Sequence, residues 1–141
     1  METAIYPKMY LYRRIVQAKL FIDRHYAEPI DLSQIADEAF FSRFHFSRLF
    51  KLAYGRTPHH YLTQVRLDKA RELLALGKAV NAVCLQVGFD SPASFSNLFK
   101  RHTGSSPSRY QAGQLQKQAL YQANPLHAVP NCFAVTHGWK K

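Results

Sequence analysis

In the segment SRFHFSRLFKLAYG, residues 42–55, Ser47, Arg48 and Lys51 follow Phe44 at spacings of 3, 4 and 7. On a helix that spacing gathers the four side chains onto one stripe. Phe46, Leu49, Phe50 and Ala53 fall on the other side and supply an apolar face. A helix divided this way can be held by one face and offer the other to a nucleic-acid groove. Arg48 carries a planar fork that matches guanine O6 and N7. Ser47 can donate or accept at a base edge or a phosphate. Phe44 has no obvious core to enter and suits a thymine methyl, with packing on a neighbouring helix as the competing reading. Ser42 and Arg43 open the helix, where unpaired backbone N–H groups favour phosphate. Lys51 is a candidate for backbone contact.

The segment is one of two copies. Residues 40–61 and 89–110 align without a gap, and 10 of the 22 positions are identical, among them Phe40/Phe89, Ser42/Ser91, Phe46/Phe95, Phe50/Phe99, Lys51/Lys100, Gly55/Gly104, Pro58/Pro107 and Tyr61/Tyr110. The apolar residues before each copy also align, Leu32, Ile35, Ala36 and Ala39 with Val80, Val83, Cys84 and Val87. A short helix, a turn and a longer helix are therefore duplicated, which reads as two tandem helix-turn-helix units. The outward positions of the second copy hold Ala93, Ser96, Asn97 and Lys100. Ser42 and Ser91 suit helix caps whether or not they also meet phosphate.

Both stripes need helices to carry them, and the pattern is all-α, with about seven helices forming two helix-turn-helix lobes joined by a long linker helix. Leu11, Ile15, Ala18, Ile22 and Tyr26 recur at helical spacing. Glu28-Pro29 closes that first helix. Asp31 and Gln34 form a capping-box pattern for the second. Thr57-Pro58 opens a linker helix that runs to about Leu76, with Gly77 beyond it. Gly88 stops the fifth helix and Gly104 the sixth, whose inward face is read as Phe95, Leu98, Phe99 and His102. Ser106-Pro107 starts a short seventh helix. The first lobe spans 8–57, the linker 58–77 and the second lobe 78–112. Residues 113–141 read as a tail that packs back through Phe133 and Trp139. A helix of this linker's length spans about 28 Å, against about 34 Å between major grooves one DNA turn apart. Arg66, Lys69 and Arg71 on the linker are expected to be solvated or paired with Asp68 and Glu72.

Composition narrows the function classes. The chain has 141 residues, with 19 Lys+Arg against 9 Asp+Glu, for a net charge of +10. That surplus points to a polyanion, nucleic acid first and an anionic membrane surface second. The charge is threaded among apolar residues, so it lies on faces of folded elements. No apolar run is long enough to cross a membrane, and no signal peptide is visible. Two distant cysteines, Cys84 and Cys132, fit a reducing cytoplasm. No phosphate loop, nucleophile elbow or paired carboxylates appear, so neither an enzyme nor a cofactor is expected. His127, Cys132 and His137 match no compact zinc pattern, and no metal is expected.

SRLFKLAYGRTP in the first unit and GFDSPASFSNLFKRHTGSSPSRY in the second resemble the DNA-binding domain of the AraC/XylS family of bacterial transcription regulators, over about residues 8–112. The resemblance implies a two-lobed fold that reads two successive major grooves of double-stranded DNA. It implies that Phe44, Ser47 and Arg48 in the first unit, and Ala93, Ser96 and Asn97 in the second, face bases. Ser42, Arg43, Lys51, Ser91 and Lys100 are then phosphate contacts. Pro92 and Ala93 stand where many members carry longer polar side chains, so the second unit is expected to discriminate sequence less than the first. Asn97 retains the reach to pair with adenine. A cytoplasmic activator is the expected role. The alternative is a protein-interaction module that recruits RNA polymerase, with DNA binding secondary and Tyr121, Phe133 and Trp139 in support. Residues 1–30 and 113–141 are too short for the effector-sensing domain that family members commonly carry.

Overall fold

A computed structural model describes residues 2–38 and 42–123, and their side chains except those of residues 2–8, 38 and 43. Phe40 of the repeat, and Cys132, His127, His137, Phe133 and Trp139 of the tail, lie outside the described residues. Among the described residues there are seven helices and no strand.

α1 (Glu2–His25) turns a face of Ile15, Ala18 and Ile22 inward, none more than 1% exposed. α2 (Leu32–Glu38) begins with the expected reciprocal cap. The Gln34 N–H donates to Asp31 Oδ1 at 2.9 Å, and the Asp31 N–H donates to Gln34 Oε1 at 3.0 Å. α3 (Arg43–Tyr54) is capped by Ser42, whose hydroxyl accepts from the His45 N–H. Gly55 closes it at φ 76°, a left-handed conformation that suits glycine. α4 (Pro58–Ala75) starts on the Thr57 cap with proline in its first turn. α5 (Val80–Gln86), α6 (Pro92–Thr103) and α7 (Pro107–Ala123) follow, and α6 repeats the architecture of α3 with Ser91 as its cap and Gly104 at its end.

Two apolar clusters result. Ile15, Ala18, Ile22, Ile35, Ala36, Phe46, Phe50 and Leu62 form the first. The second gathers Leu67, Ala70 and Leu74 from α4 with Val83, Cys84, Val87, Phe89, Phe95 and Phe99. α4 thus contributes to both and packs against all six other helices. The linker is a shared wall between the lobes. Burying several large apolar side chains on each side, at about 1.5–3 kcal/mol apiece, opposes any hinge in it.

The duplication is visible in the packing. In the first lobe Phe46 and Phe50 lie 5.7 Å apart, and Phe50 meets Tyr61 at 5.6 Å. In the second, Phe95 and Phe99 lie 5.7 Å apart, and Phe99 meets Tyr110 at 5.4 Å. The same three aromatic positions therefore anchor each longer helix, with tilted or edge-on ring pairs.

Two positions read as inward are exposed, and one read as solvated is half-buried. Ala53 is exposed, because α3 runs past the cluster that holds Phe46 and Phe50. His102 is also exposed and reaches Asp68 of α4, with Nε2 3.4 Å from Oδ1. Arg66 is half-buried, while Lys69 pairs with Glu72 and Arg71 with Asp68 as expected. α7 is not short. It continues to Ala123, because Gln111 donates to the Leu74 and Lys78 carbonyls and Gln118 to that of Ala75, tying it along the end of α4.

Candidate nucleic-acid interface

α3 and α6 are fixed by one face each, and their other faces are open. Phe46 and Phe50 of α3, and Phe95 and Phe99 of α6, are fully buried. On the outer side of α3, Phe44 is 80% exposed. That excludes its packing on a neighbouring helix, because a ring packed there would be covered. Arg48 and Lys51 are exposed beside it, and Ser47 is half-buried at the edge of the stripe. Ser42 stands exposed at the helix start. Arg43 begins α3, and its side chain is outside the described set.

The second lobe repeats the pattern with shorter side chains. Ala93, Asn97 and Lys100 are exposed, while Ser96 is half-buried, like its counterpart Ser47. Ser91 is half-buried and accepts from the Ser94 N–H at 3.3 Å. Both cap hydroxyls act as acceptors toward the backbone, so each retains its proton for a further acceptor.

Charge follows the same division. Neither α3 nor α6 contains a single Asp or Glu. Four acids elsewhere have partners of their own: Asp23 with Lys19 at 2.9 Å, Glu28 with His25 at 2.9 Å, and Asp68 and Glu72 with cations of α4, while Asp90 is exposed just before the Ser91 cap. Among the described residues no carboxylate pairs with Arg48, Lys51 or Lys100. The two outer faces thus offer cations and hydroxyls and carry no acid of their own helices, which is the arrangement a polyanion needs.

Other chemistries find little support in the geometry. Cys84 is 1% exposed, its thiol donates to the Phe89 carbonyl at 3.8 Å, and burial pushes its pKa up. A buried thiol held protonated is a poor nucleophile. Among the described residues no three His, Cys, Asp or Glu side chains converge on a metal position, and no helix is long and apolar enough to cross a membrane.

Sequence patterning missed two features that set how the open faces are held. Arg66 donates to the backbone carbonyls of Tyr26 and Glu28 at 2.6 and 2.8 Å. Tyr61 donates its hydroxyl to Asp23 at 2.7 Å. Both join residues about forty positions apart, beyond any periodic signal. The signal that existed was chemical: an arginine and a tyrosine on the apolar side of a helix need partners.

Known proteins share this arrangement. A family model described as a helix-turn-helix domain matches residues 35–113. The chain is 39% identical over 92 residues to the "Probable transcriptional regulator LumQ" of Photobacterium leiognathi, covering 64% of this chain and 37% of that protein. It is 34% identical over 106 residues to the "Bifunctional transcriptional activator/DNA repair enzyme AdaA" of Bacillus subtilis, covering 74% of this chain and 49% of that protein. The chain thus spans half or less of the length of these relatives. The DNA-binding domain of AdpA, described as the global transcriptional factor and crystallised with a target DNA, superposes with a TM-score of 0.68 at 29% identity. That match covers 79% of this chain and 96% of the AdpA domain.

Proposed function

This chain belongs to the AraC-type helix-turn-helix domain family, and from that premise we propose that it regulates transcription by binding double-stranded DNA sequence-specifically, with α3 and α6 in successive major grooves. The observation that carries this reading is the pair of acid-free outer faces on α3 and α6, each fixed by the same phenylalanine pair packed in a cluster to which α4 contributes.

In this reading Arg48 pairs with a guanine, Phe44 covers a thymine methyl and Ser47 meets a base edge or phosphate. Ala93, Ser96 and Asn97 face the second groove, with Asn97 the one long polar reader. Ser42, Arg43 and Lys51 grip phosphates around the first groove, and Ser91 and Lys100 around the second. The imbalance in side-chain reach makes the first lobe the main source of discrimination. α4 spans about 27 Å against about 34 Å for one DNA turn, so either the duplex bends or one head rests on the backbone.

We assign the chain an activating role in the cytoplasm, supported by the relative named as a transcriptional activator. RNA polymerase is the partner such a role needs. Fluorescence anisotropy with duplexes selected from a random library tests the DNA reading. Affinity for selected duplexes should exceed that for random ones, and both should fall steeply between low and physiological salt. Equal affinity for both, unchanged by salt, would exclude it.

A further inference from the structure

Between the first half of α4 and the second half of α6 lies a groove of about 370 Å³ that the recognition stripes do not use. His59, His60 and Thr63 line it from α4, and Arg101 and His102 from α6. Leu67 and Leu98 supply its apolar lining. One arginine and three histidines therefore line a space large enough for a phosphate group. We propose that this groove is a phosphate site, that its occupant is a backbone phosphate of the duplex lying between the two reading heads, and that histidine protonation sets its strength. The inference rests on the DNA reading above, and it adds to that reading a third, interlobe grip and a dependence on pH.

The donors suit the task. Arg101 presents a fork that matches phosphate oxygens, and the Thr63 hydroxyl adds a neutral donor. Histidine is the side chain that changes charge between about pH 5 and 8. A phosphate beside the imidazoles favours their charged form, so the complex takes up protons and tightens as pH falls. Among the described residues Arg101 is the charged side chain that lines the groove with the histidines, and Arg56, Asp68, Arg71 and Lys100 stand nearby along the same stretches of chain. Asp68 is the one acid in contact, 3.4 Å from His102 Nε2, and Arg71 shares it at 3.8 Å. His59 and His60 lie nearer the start of α4, are exposed and have no carboxylate partner among the described residues. They are the groups expected to respond most.

Two measurements on the full chain test this. In the first, inorganic phosphate is titrated into the protein while histidine ring signals are followed by NMR at about pH 6 and about pH 8. The signals of His59, His60 or His102 should move at the lower pH and stay still in Arg101→Gln. Movement confined to other histidines, or none, overturns the site. In the second, duplex affinity is measured by anisotropy over the same pH range. It should weaken about three- to tenfold from the lower to the higher pH. The double variant His59→Gln/His60→Gln should flatten that slope, whereas His45→Gln on α3 should keep it. A slope that is absent, or that survives the double variant, overturns the backbone role. Phosphate binding without a duplex slope assigns the groove to a free oxyanion instead. A chain that binds no duplex at any pH refutes the DNA reading, and the phosphate titration still decides the groove.

Discussion

The Nε of Arg66 donates to the backbone carbonyl of Tyr26 at 2.6 Å, so the middle of the linker helix is tied to the turn that follows α1 in the first lobe. The same guanidinium reaches the Glu28 carbonyl at 2.8 Å and lies over the Phe89 ring of the second lobe, 5.8 Å from its centroid. One side chain therefore touches both lobes and satisfies two carbonyls that the end of α1 leaves without helical partners. Burial lowers its pKa from the ordinary value, and Asp90 opposes that shift. An arginine in this place fixes the relative orientation of α3 and α6 more rigidly than apolar contact alone.

Replacing Arg66 with Met keeps much of the stem's packing and removes the donors. The expected loss is about 1–2 kcal/mol of folding stability, because the Tyr26 carbonyl loses its Arg66 donor while the Glu28 carbonyl keeps the Ile30 N–H at 2.8 Å. Urea unfolding monitored by circular dichroism measures it. A loss below half a kcal/mol would mean that the contact contributes no net stability.

Gly88 sits at φ 103°, and a Cβ there would lie 2.9 Å from both Arg66 Nε and the Tyr26 carbonyl oxygen. Gly104 has φ 89° with nothing within 4 Å. Gly104→Ala should therefore cost only backbone strain, about 1–2 kcal/mol. Gly88→Ala adds a clash with backbone and should cost more, about 2–4 kcal/mol. Comparing the two melting temperatures checks the order, and equal costs would contradict the close approach.

Tyr61 donates to Asp23, which also pairs with Lys19. Burial, and then the Asp23 hydrogen bond, push the Tyr61 hydroxyl up to about 12 from the ordinary 10.0. Its folded pKa is raised, so the stability it confers is complete below about pH 10 and is lost as pH rises toward about 12. Tyr61→Phe should lower neutral-pH stability by about 1 kcal/mol. It should also flatten the pH dependence of stability in that alkaline window, as read by thermal melts at graded pH.

On the DNA face, Arg48→Ala should cost about 1–3 kcal/mol on a selected duplex and relax preference at one base position. Lys100→Ala should weaken all sequences alike and reduce the salt slope by about one. Anisotropy titrations at several salt concentrations separate these outcomes. Both residues are exposed, so neither change should move the melting temperature. An equal loss on selected and random DNA for Arg48→Ala would remove its base-reading role.

Most of the helix boundaries were legible because they are local. The Asp31–Gln34 box, the Ser42, Thr57 and Ser91 caps and the Gly55 and Gly104 stops each involve residues three or four positions apart, and each forms as its chemistry predicts. The outward stripe of α3 was legible for the same reason. Ala53 and His102 were misplaced because helical periodicity assigns a face without knowing where the neighbouring helices stop. The length of α7 was missed because the residues from 113 read as a tail, yet Gly113 is helical with no positive φ and the helix runs on to Ala123. The glutamine contacts that hold α7 to α4 come from residues more than thirty positions away.

By itself, then, the sequence determined an all-helical chain, two copies of one helix-turn-helix unit, their aromatic anchors and a surplus of positive charge, because periodicity, capping and duplication are written in neighbouring residues. Only the tertiary structure decided that Phe44 is uncovered, that Arg66 clamps the lobes together and that His59 and His60 meet Arg101 and His102 across a groove. Those relationships join residues brought together by the burial of two apolar clusters along α4. That long-range closure of the chain, and not any local preference, sets where each side chain ends.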